Sequence, residues 1–324
     1  MTEQRAPGPA KGVYPRYQAP DADLPSFICP TFPAATTMFF CIGAQKAGTT
    51  WLYDYLSQSE QVHFCRNKEL HYFDVRAGRG NLSLEIRLKR LQRLVDKCTM
   101  RKVHHLPRLF EQIRETLDLL DIHVHGGYGP DRHDRYLRYL LQGHAGQPVV
   151  ADITPGYSVL DRAHFADMAA VGNARFAFIL RDPVARMWSQ IRMSVATSLG
   201  KKSTPEALME GCRAHAEKLI SEQALGDVRR ANYLHTMSEL EAAVPADRIC
   251  YVFYEDLFAG DAAARICQFL QIDAPPVDTE KRVNEGVRLP IPDDLRAAFR
   301  AAFDPQYKGI AQRFGSDLPK AWAL

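Results

Sequence analysis

The most informative segment of the sequence is Gly43-Ala44-Gln45-Lys46-Ala47-Gly48-Thr49-Thr50-Trp51-Leu52. The apolar run Thr37–Ile42 before it predicts a buried strand, and the residues from about Thr49 to Ser57 predict a helix. A strand, a turn and a helix N-terminus in this order direct backbone N–H groups towards one point, which makes an anion site. Gly48 permits close approach of a ligand to the backbone, and Thr49 and Thr50 add hydroxyl donors.

The position of the lysine indicates what kind of anion this loop binds. Gly43 and Gly48 have the spacing of the Walker A pattern G-x-x-x-x-G-K-[ST], but Thr49 stands in place of its lysine. Lys46 lies inside the loop instead, and we expect it near the first phosphorus and the bridging oxygen beyond it. This favours a ligand with one phosphate and one transferable group. The alternative is an ordinary strand–turn–helix with a chance pair of glycines.

A second anion site is predicted where the apolar strand Phe176–Leu180 ends. Arg181 follows directly, at the carboxyl end of a strand, where open α/β sheets bind ligands. Asp182 is suited to cap the next helix and Pro183 to begin it. Ser189 follows about two turns later, and an arginine fork with a hydroxyl fits a terminal phosphate. Taken alone, Arg181 would equally fit a surface ion pair.

Strands and helices alternate along the rest of the chain. Further strands are predicted at Pro148–Ile153, Arg175–Leu180 and Ile249–Tyr254, and helices at Pro183–Ser198, Pro205–Ala224, Arg229–Val244 and Ala262–Leu270. This alternation predicts an α/β fold with a central parallel sheet. We expect one domain over residues 36–324, preceded by a proline-rich arm at 1–35 and interrupted by a helical insertion at 76–147.

The insertion begins with a strongly basic stretch. Residues 76–108 carry ten Arg and Lys against two acidic residues. The helical pattern over residues 84–102 predicts two faces. The apolar face is formed by Leu84, Leu88, Leu91 and Val95, and the cationic face by Arg87, Arg90, Lys97 and Arg101. The cationic face is interpreted as solvated. The alternative is a landing surface for an anionic acceptor or an anionic membrane.

The composition excludes several broad classes. The chain has 324 residues, 46% hydrophobic and 24% charged, which is typical of a globular protein. Its net charge of +3 is too small to indicate a nucleic-acid partner. The seven cysteines lack metal-ligand spacing, so we expect no metal site and free thiols in a reducing compartment. No transmembrane segment or secretory signal is expected, and a cytoplasmic location is predicted.

At both anion elements the sequence resembles the sulfotransferases that use 3′-phosphoadenosine 5′-phosphosulfate (PAPS). The segment Gln45–Leu52 is similar to their 5′-phosphosulfate loop, and Arg181–Arg186 followed by Ser189 is similar to their 3′-phosphate motif. Lys68-Glu69-Leu70-His71-Tyr72-Phe73-Asp74 resembles the segment after the second strand in heparan-sulfate-type and bacterial members. Weaker similarities follow in motif order at Thr154-Pro155-Gly156-Tyr157, Tyr233, Tyr254-Glu255-Asp256-Leu257 and Asn284 to Arg288.

The resemblance implies a P-loop-like three-layer α/β sandwich and sulfuryl transfer from PAPS to a hydroxyl or amine, with release of 3′-phosphoadenosine 5′-phosphate (PAP). The implied nucleotide site comprises Gln45, Lys46, Ala47, Gly48, Thr49, Thr50, Trp51, Arg181, Ser189, Tyr233 and Arg288. The implied catalytic residues are Lys46, which would neutralise the leaving oxygen, and Glu69, which would be the base. His71 is a rival base, because its ordinary pKa suits proton transfer better. The strand before Glu69 is expected to neighbour the phosphate loop.

The acceptor stays open at this point, among small molecules, lipids and glycans. Heparan-sulfate-type members often carry a lysine just before the Thr-Pro pair, where this sequence has Ile153, so a heparan-like acceptor is not carried over. Two other functions remain as alternatives. A P-loop kinase would need a lysine after Gly48 and an acidic magnesium ligand at a strand end. A non-catalytic module would bind a nucleotide or an anionic glycan without turnover.

Overall fold

Five strands form one parallel sheet in the part of the chain that the structure describes. The computed structural model describes residues 31–100, 106–123, 133–200, 204–225, 229–258, 261–276 and 289–322. The strands are β1 (Thr37–Gly43), β2 (Val62–Phe64), β3 (Val149–Ile153), β4 (Asn173–Leu180) and β5 (Ile249–Phe253). Their order in the sheet is β2-β3-β1-β4-β5, and every neighbouring pair is parallel.

Helices flank this sheet. They are α1 (Thr49–Leu56), α2 (Tyr72–Arg76), α3 (Asn81–Met100), α4 (Leu106–Asp121), α5 (Asp134–Leu140), α6 (Arg162–Ala169), α7 (Pro183–Leu199), α8 (Pro205–Ser221), α9 (Tyr233–Glu241), α10 (Tyr254–Leu257), α11 (Asp261–Leu270), α12 (Asp293–Ala302) and α13 (Asp304–Phe314). Phe39 and Phe40 are neighbours in β1 and point to opposite faces, yet both are fully buried. Both faces of the sheet are therefore covered, and the predicted α/β fold with a central parallel sheet is confirmed.

One predicted helix is divided in the structure. The sequence predicts a helix over Arg229–Val244, but a 3₁₀ turn occupies Arg229–Ala231 and α9 begins only at Tyr233. The Asn232 side chain accepts a hydrogen bond from the backbone N–H of His235 and caps α9 at that point. The cap separates the turn from the helix.

The predicted faces of the basic helix are wrong. In α3, which lies with α4 and α5 between β2 and β3, Leu88 and Val95 are 50% and 43% exposed. Arg87 is buried instead, and its Nη2 donates to the backbone carbonyl oxygens of Glu69 and Leu70 at 2.9 and 2.7 Å. These two hydrogen bonds turn the Arg87 side of α3 inward, because buried carbonyl groups need donors.

The strand order creates a crevice at the carboxyl end of β1. From β1 the chain passes to β2 and β3 on one side of the sheet and then to β4 and β5 on the other. Parallel sheets bind ligands where the strand order reverses in this way. The strand before Glu69 is β2, which lies at the edge of the sheet and is separated from β1 by β3. The segment after β2 nevertheless reaches the phosphate loop, because Lys68 Nζ donates to Thr50 Oγ1 at 3.1 Å.

Three properties of the described residues bear on the sequence-based expectations. No helix in these ranges combines the length and the apolar character that membrane crossing requires. Six cysteines in the same ranges are free, and five of them are buried. A grouping of three or more His, Cys, Asp or Glu side chains suited to a metal ion does not occur in this part of the chain.

Candidate active site

A cleft of about 410 Å³ opens at the carboxyl edge of the sheet. Its volume lies in the range of ligand pockets. Segments that follow all five strands contribute to its wall, together with α7. The lining residues are Gln45, Lys46, Gly48, Thr49, Thr50, Trp51, Glu69, Pro155, Arg181, Ser189, Met193, Tyr254 and Phe258. The fold therefore brings the phosphate loop, Glu69 and the second anion element into one cavity.

The N-terminus of α1 opens towards this cleft. Gly48 occupies its N-cap position with φ of 83° and contributes no capping side chain, so the N–H groups of the first turn are available to an anion. A Cβ at Gly48 would lie 2.8 Å from Leu257 Cδ1 and 3.1 Å from the Tyr254 ring. Glycine is thus required here by its left-handed backbone and by close packing against α10.

Arg181 is held beside the loop, and one of its buried donors has no partner among the described residues. Its Nη1 donates to the carbonyl oxygen of Lys46 at 2.6 Å, and its guanidinium lies 4.1 Å from the centre of the Tyr254 ring. The Tyr233 hydroxyl donates to the Arg181 carbonyl oxygen at 2.8 Å. The buried Nε of Arg181 has no hydrogen-bond partner among the described residues. A bound anion would satisfy this donor.

Asp182 organises the helix that carries Ser189. Its Oδ1 accepts from the Ala185 backbone N–H at 2.7 Å, so the predicted N-cap of α7 is confirmed. Its Oδ2 accepts from the Tyr307 hydroxyl. Both carboxylate oxygens are therefore engaged within the fold. Ser189 lies further along α7 and lines the cleft.

Lys46 lies in a cationic environment. Its Nζ is 3.7 Å from the sulfur of Met193, at the mouth of the cleft. Burial first, and then the charges of Arg181 and Arg192, lower the pKa of Lys46. A negatively charged ligand at this position would raise the pKa of Lys46 again towards its ordinary value.

Lys68, which sequence reasoning did not single out, joins the loop to the predicted base. Its Nζ donates to Thr50 Oγ1 at 3.1 Å and to Glu69 Oε1 at 2.6 Å. The Thr50 hydroxyl belongs to the phosphate loop, so one ammonium group faces both the expected phosphate position and Glu69. The signal was available in the sequence, since a lysine precedes the glutamate, but only the folded chain shows its two partners.

Glu69 and His71 have pKa values displaced in opposite directions. Burial alone would raise the pKa of Glu69, but interaction with His71 and with the Lys68 ammonium outweighs it and lowers this pKa to about 2. Burial alone would lower the pKa of His71, but its contacts with Asp74 and Glu69 raise it to about 9. At neutral pH the pair is therefore a carboxylate beside an imidazolium.

Asp74 and Gly156 fix the orientation of His71. The Nδ1 of His71 is 2.7 Å from Asp74 Oδ2, and its Nε2 faces Glu69 Oε2 at 3.8 Å. A Cβ at Gly156 would approach Asp74 Oδ2 to 2.7 Å and His71 Cε1 to 2.9 Å. Because Gly156 of the Thr-Pro-Gly-Tyr segment has no side chain, the paired side chains of His71 and Asp74 can pack against it.

The three predicted catalytic residues share an uncommon backbone conformation. Lys46, Glu69 and His71 have φ values of 71°, 62° and 53°. Residues with side chains adopt this left-handed region rarely, and such conformations concentrate at functional sites. Lys46 and Glu69 line the cleft, and His71 does not line it but lies beside Glu69, so this conformation favours a functional role for the region.

Not every residue of the expected site lines the cleft. Ala47 and Tyr233 are fully buried, and Tyr233 contacts the site only through the Arg181 backbone. Arg288 lies outside the described residues, as do Asn284, Arg101 and most of the N-terminal arm. The cleft is also lined by Met193, Tyr254 and Phe258. Of these, only Tyr254 belongs to a segment that the sequence analysis noted, as one of the weaker similarities.

The chain is similar to known sulfotransferases. A solved sulfotransferase from Alicyclobacillus acidocaldarius aligns with a TM-score of 0.53 and 19% identity, over 88% of this chain and 98% of that one. The sulfotransferase domain of the Synechococcus PCC 7002 olefin synthase aligns with a TM-score of 0.42 and 17% identity, over 90% and 98%. No curated protein sequence matches the chain.

The similarity to the first of these structures concerns the fold alone, because only 19% of the aligned residues are identical. The sequence itself matches the model of the sulfotransferase family over residues 39–276. This range begins in β1 and contains the phosphate loop, the Glu69 segment, Arg181 and α10. The chain therefore belongs to the sulfotransferase family.

Proposed function

We propose that this protein transfers a sulfuryl group from PAPS to a hydroxyl or amine of an acceptor and releases PAP. Membership of the sulfotransferase family supports the reaction class. The donor is supported by one observation above all. Gly48 and Thr49 at the open N-terminus of α1, Lys46 and Arg181 line one cleft together with Glu69. That cleft thus offers two anion positions and a carboxylate.

The described residues fit PAPS. Gly48 leaves the first-turn N–H groups of α1 without a capping side chain, and the buried Nε of Arg181 is a donor without a partner among the described residues. In our proposal the N–H groups of Gly48 and Thr49 and the Thr50 hydroxyl hold the 5′-phosphate. Arg181 and Ser189 hold the 3′-phosphate.

PAPS, when bound, supplies a sulfuryl group attached to a stable leaving group. The chain contributes mainly position and charge, as in phosphoryl transfer. Lys46 would neutralise the negative charge that develops on the oxygen bridging sulfur and phosphorus. Glu69 would accept the proton of the attacking hydroxyl or amine. His71 would orient Glu69 as an imidazolium, because its contact with Asp74 keeps the proton on the ring.

The acceptor is proposed only as a class: a small molecule, a lipid or a glycan with a free hydroxyl or amine. We also propose a cytoplasmic location, supported by the free cysteines, which are typical of reducing compartments. Asp182, the acidic residue that follows β4, gives the kinase alternative no support as a magnesium ligand, because its two oxygens accept from the Ala185 N–H of the helix cap and from the Tyr307 hydroxyl.

Calorimetric titration with PAP and 5′-AMP tests the proposed donor site. The native protein should bind PAP more tightly, and Arg181→Ala should remove most of that preference, since removing one partner of a buried charged hydrogen bond costs about 2–5 kcal/mol. Asn232→Ala, which removes the α9 cap and the hydrogen bond from Gln306 but no residue that lines the cleft, is the control and should keep the preference. Equal affinity of the native protein for both nucleotides would contradict the proposal.

A further inference from the structure

A second arginine outside the predicted site reaches the phosphate loop. Arg230 lies in the 3₁₀ turn Arg229–Ala231, and its Nη1 donates to the side-chain oxygen of Gln45 at 2.6 Å. Gln45 lines the cleft and directly precedes Lys46. The two partners are 185 positions apart in sequence, so only the tertiary structure brings them together.

Arg230 is a half-buried cation without an anionic partner. Its partner Gln45 is neutral, and none of the ion pairs within the described residues includes Arg230. Arg186 is also fully buried, and its Nε and Nη1 have no hydrogen-bond partner in the same ranges. The positive charges of Arg181 and Arg230 both act on Arg186. Such a concentration of buried positive charge is stabilised when an anion binds.

The location of Arg230 indicates which anion this is. Burial lowers the pKa of Arg230, while the charges of Asp74 and Glu69 act in the opposite direction. Arg230 therefore lies beside the start of the phosphate loop, which it contacts at Gln45, and within electrostatic range of Glu69. The first-turn N–H groups of α1 and the Nε of Arg181 are separate donors, which the proposed function assigns to the two phosphates. The Gln45 end of the loop is left for the group that is transferred.

We propose that Arg230 binds the non-bridging oxygens of the sulfuryl group of PAPS, held in place by the side-chain oxygen of Gln45. A planar guanidinium fork matches two oxygens of a tetrahedral oxyanion. The residue then distinguishes the loaded donor from PAP, which lacks those oxygens. This inference rests on the proposed function and adds a residue to it.

The test is a comparison of PAPS and PAP affinities and needs no acceptor. Native protein, Arg230→Ala, Arg230→Lys and Arg229→Ala are titrated calorimetrically at low temperature, and the donor is checked chromatographically for hydrolysis. Arg229 is exposed in the same turn, so its variant is the matched control. We expect Arg230→Ala to weaken PAPS binding about tenfold or more and to leave PAP binding nearly unchanged. Arg230→Lys should lie between the two, and Arg229→Ala should match the native protein.

Three outcomes would overturn the inference. They are an unchanged ratio of PAPS to PAP affinity in both Arg230 variants, an equal loss for both nucleotides in Arg230→Lys, and the same loss of PAPS binding in Arg229→Ala. If Arg230→Ala also fails to bind PAP because it does not fold, the ratio measured with Arg230→Lys decides. Failure of the native protein to bind either nucleotide is a different result, which contradicts the proposed function itself.

Discussion

At the scale of single residues, the pairing of Glu69 with His71 decides what each can do. A histidine of ordinary pKa would be the better base near neutral pH. In this fold Asp74 Oδ2 accepts a hydrogen bond from Nδ1 of His71 at 2.7 Å, and the pKa of His71 rises to about 9. The carboxylate of Glu69 is ionised without any prior proton loss, because its pKa falls to about 2. Sequence similarity and local electrostatics thus favour the same base.

This assignment predicts the shape of the pH profile. With Glu69 as base, kcat/KM should be nearly constant from about pH 5 to pH 8, since neither group of the pair titrates there. It should fall as the pH rises past about 9, where His71 loses its proton and no longer orients Glu69 by charge. If His71 were the base, the activity would instead rise towards pH 9. Initial rates across this range, with any acceptor that is turned over, distinguish the two.

A pair of substitutions separates the base from the residue that orients it. Glu69→Gln keeps the shape but removes the proton acceptor, so kcat should fall by about two to four powers of ten. PAP affinity should hardly change, because the nucleotide contacts lie elsewhere. His71→Ala should lose less activity and should also change the pH profile. An active Glu69→Gln together with an inactive His71→Ala would reverse the assignment.

At the scale of secondary-structure elements, α3 supports the segment that carries Glu69, the proposed base. Its Arg87 donates to two consecutive carbonyl groups, those of Glu69 and Leu70, at 2.9 and 2.7 Å. Glu69 is one of the residues with a left-handed backbone, and these bonds help to hold that conformation. Within the described part of α3, Arg87 therefore faces the Glu69 segment, whereas Arg90 and Lys97 face solvent.

Removal of this support should affect both stability and turnover. Arg87→Met keeps the apolar stem but leaves two buried carbonyl groups without their donor, so the free energy of unfolding should fall by about 1–3 kcal/mol. The value of kcat should fall more than PAP affinity does, because Glu69 moves and the phosphate loop does not. Arg90→Met, at an exposed position of the same helix, is the control. Denaturant titration and rate measurements that give equal results for the two variants would contradict this role.

At the scale of the whole molecule, the cleft depends on the sheet as a unit. The segments proposed to bind the two phosphates follow β1 and β4, which are neighbours, whereas Glu69 follows the edge strand β2. A ligand that joins the segments after β1 and β4 binds only when that part of the sheet is formed. Ligand binding and folding are therefore linked.

This linkage predicts a thermal shift that is specific for the nucleotide. PAP at 100 times its Kd should add about 2.7 kcal/mol to the stability of the native state, which calorimetry or fluorescence would record as a higher Tm. Arg181→Ala should reduce the shift at the same PAP concentration. ATP with magnesium should have little effect. A large shift with ATP and magnesium and none with PAP would favour the kinase alternative.

The sequence by itself determined the features that depend on near neighbours. The strand–loop–helix around Gly48, the Asp182 cap and the alternation of strands with helices follow from hydrophobic period and turn chemistry within short windows. Similarity of the motif then pointed to Glu69. The same local reasoning assigned Arg87 to a solvated face, because helical periodicity does not show what a distant backbone segment needs.

The tertiary structure alone decided the contacts between segments far apart in the chain. Arg230 reaches Gln45 across 185 positions, and Arg181 reaches the Lys46 carbonyl across 135. Lys68 follows β2, which β3 separates from β1, and it still reaches Thr50 in the segment after β1. The protonation of His71 also belongs to this level, since a pKa depends on burial and on neighbouring charges rather than on the residue type. Local sequence patterns do not encode these contacts or this pKa, because both arise only when packing brings distant groups together and removes the water between them.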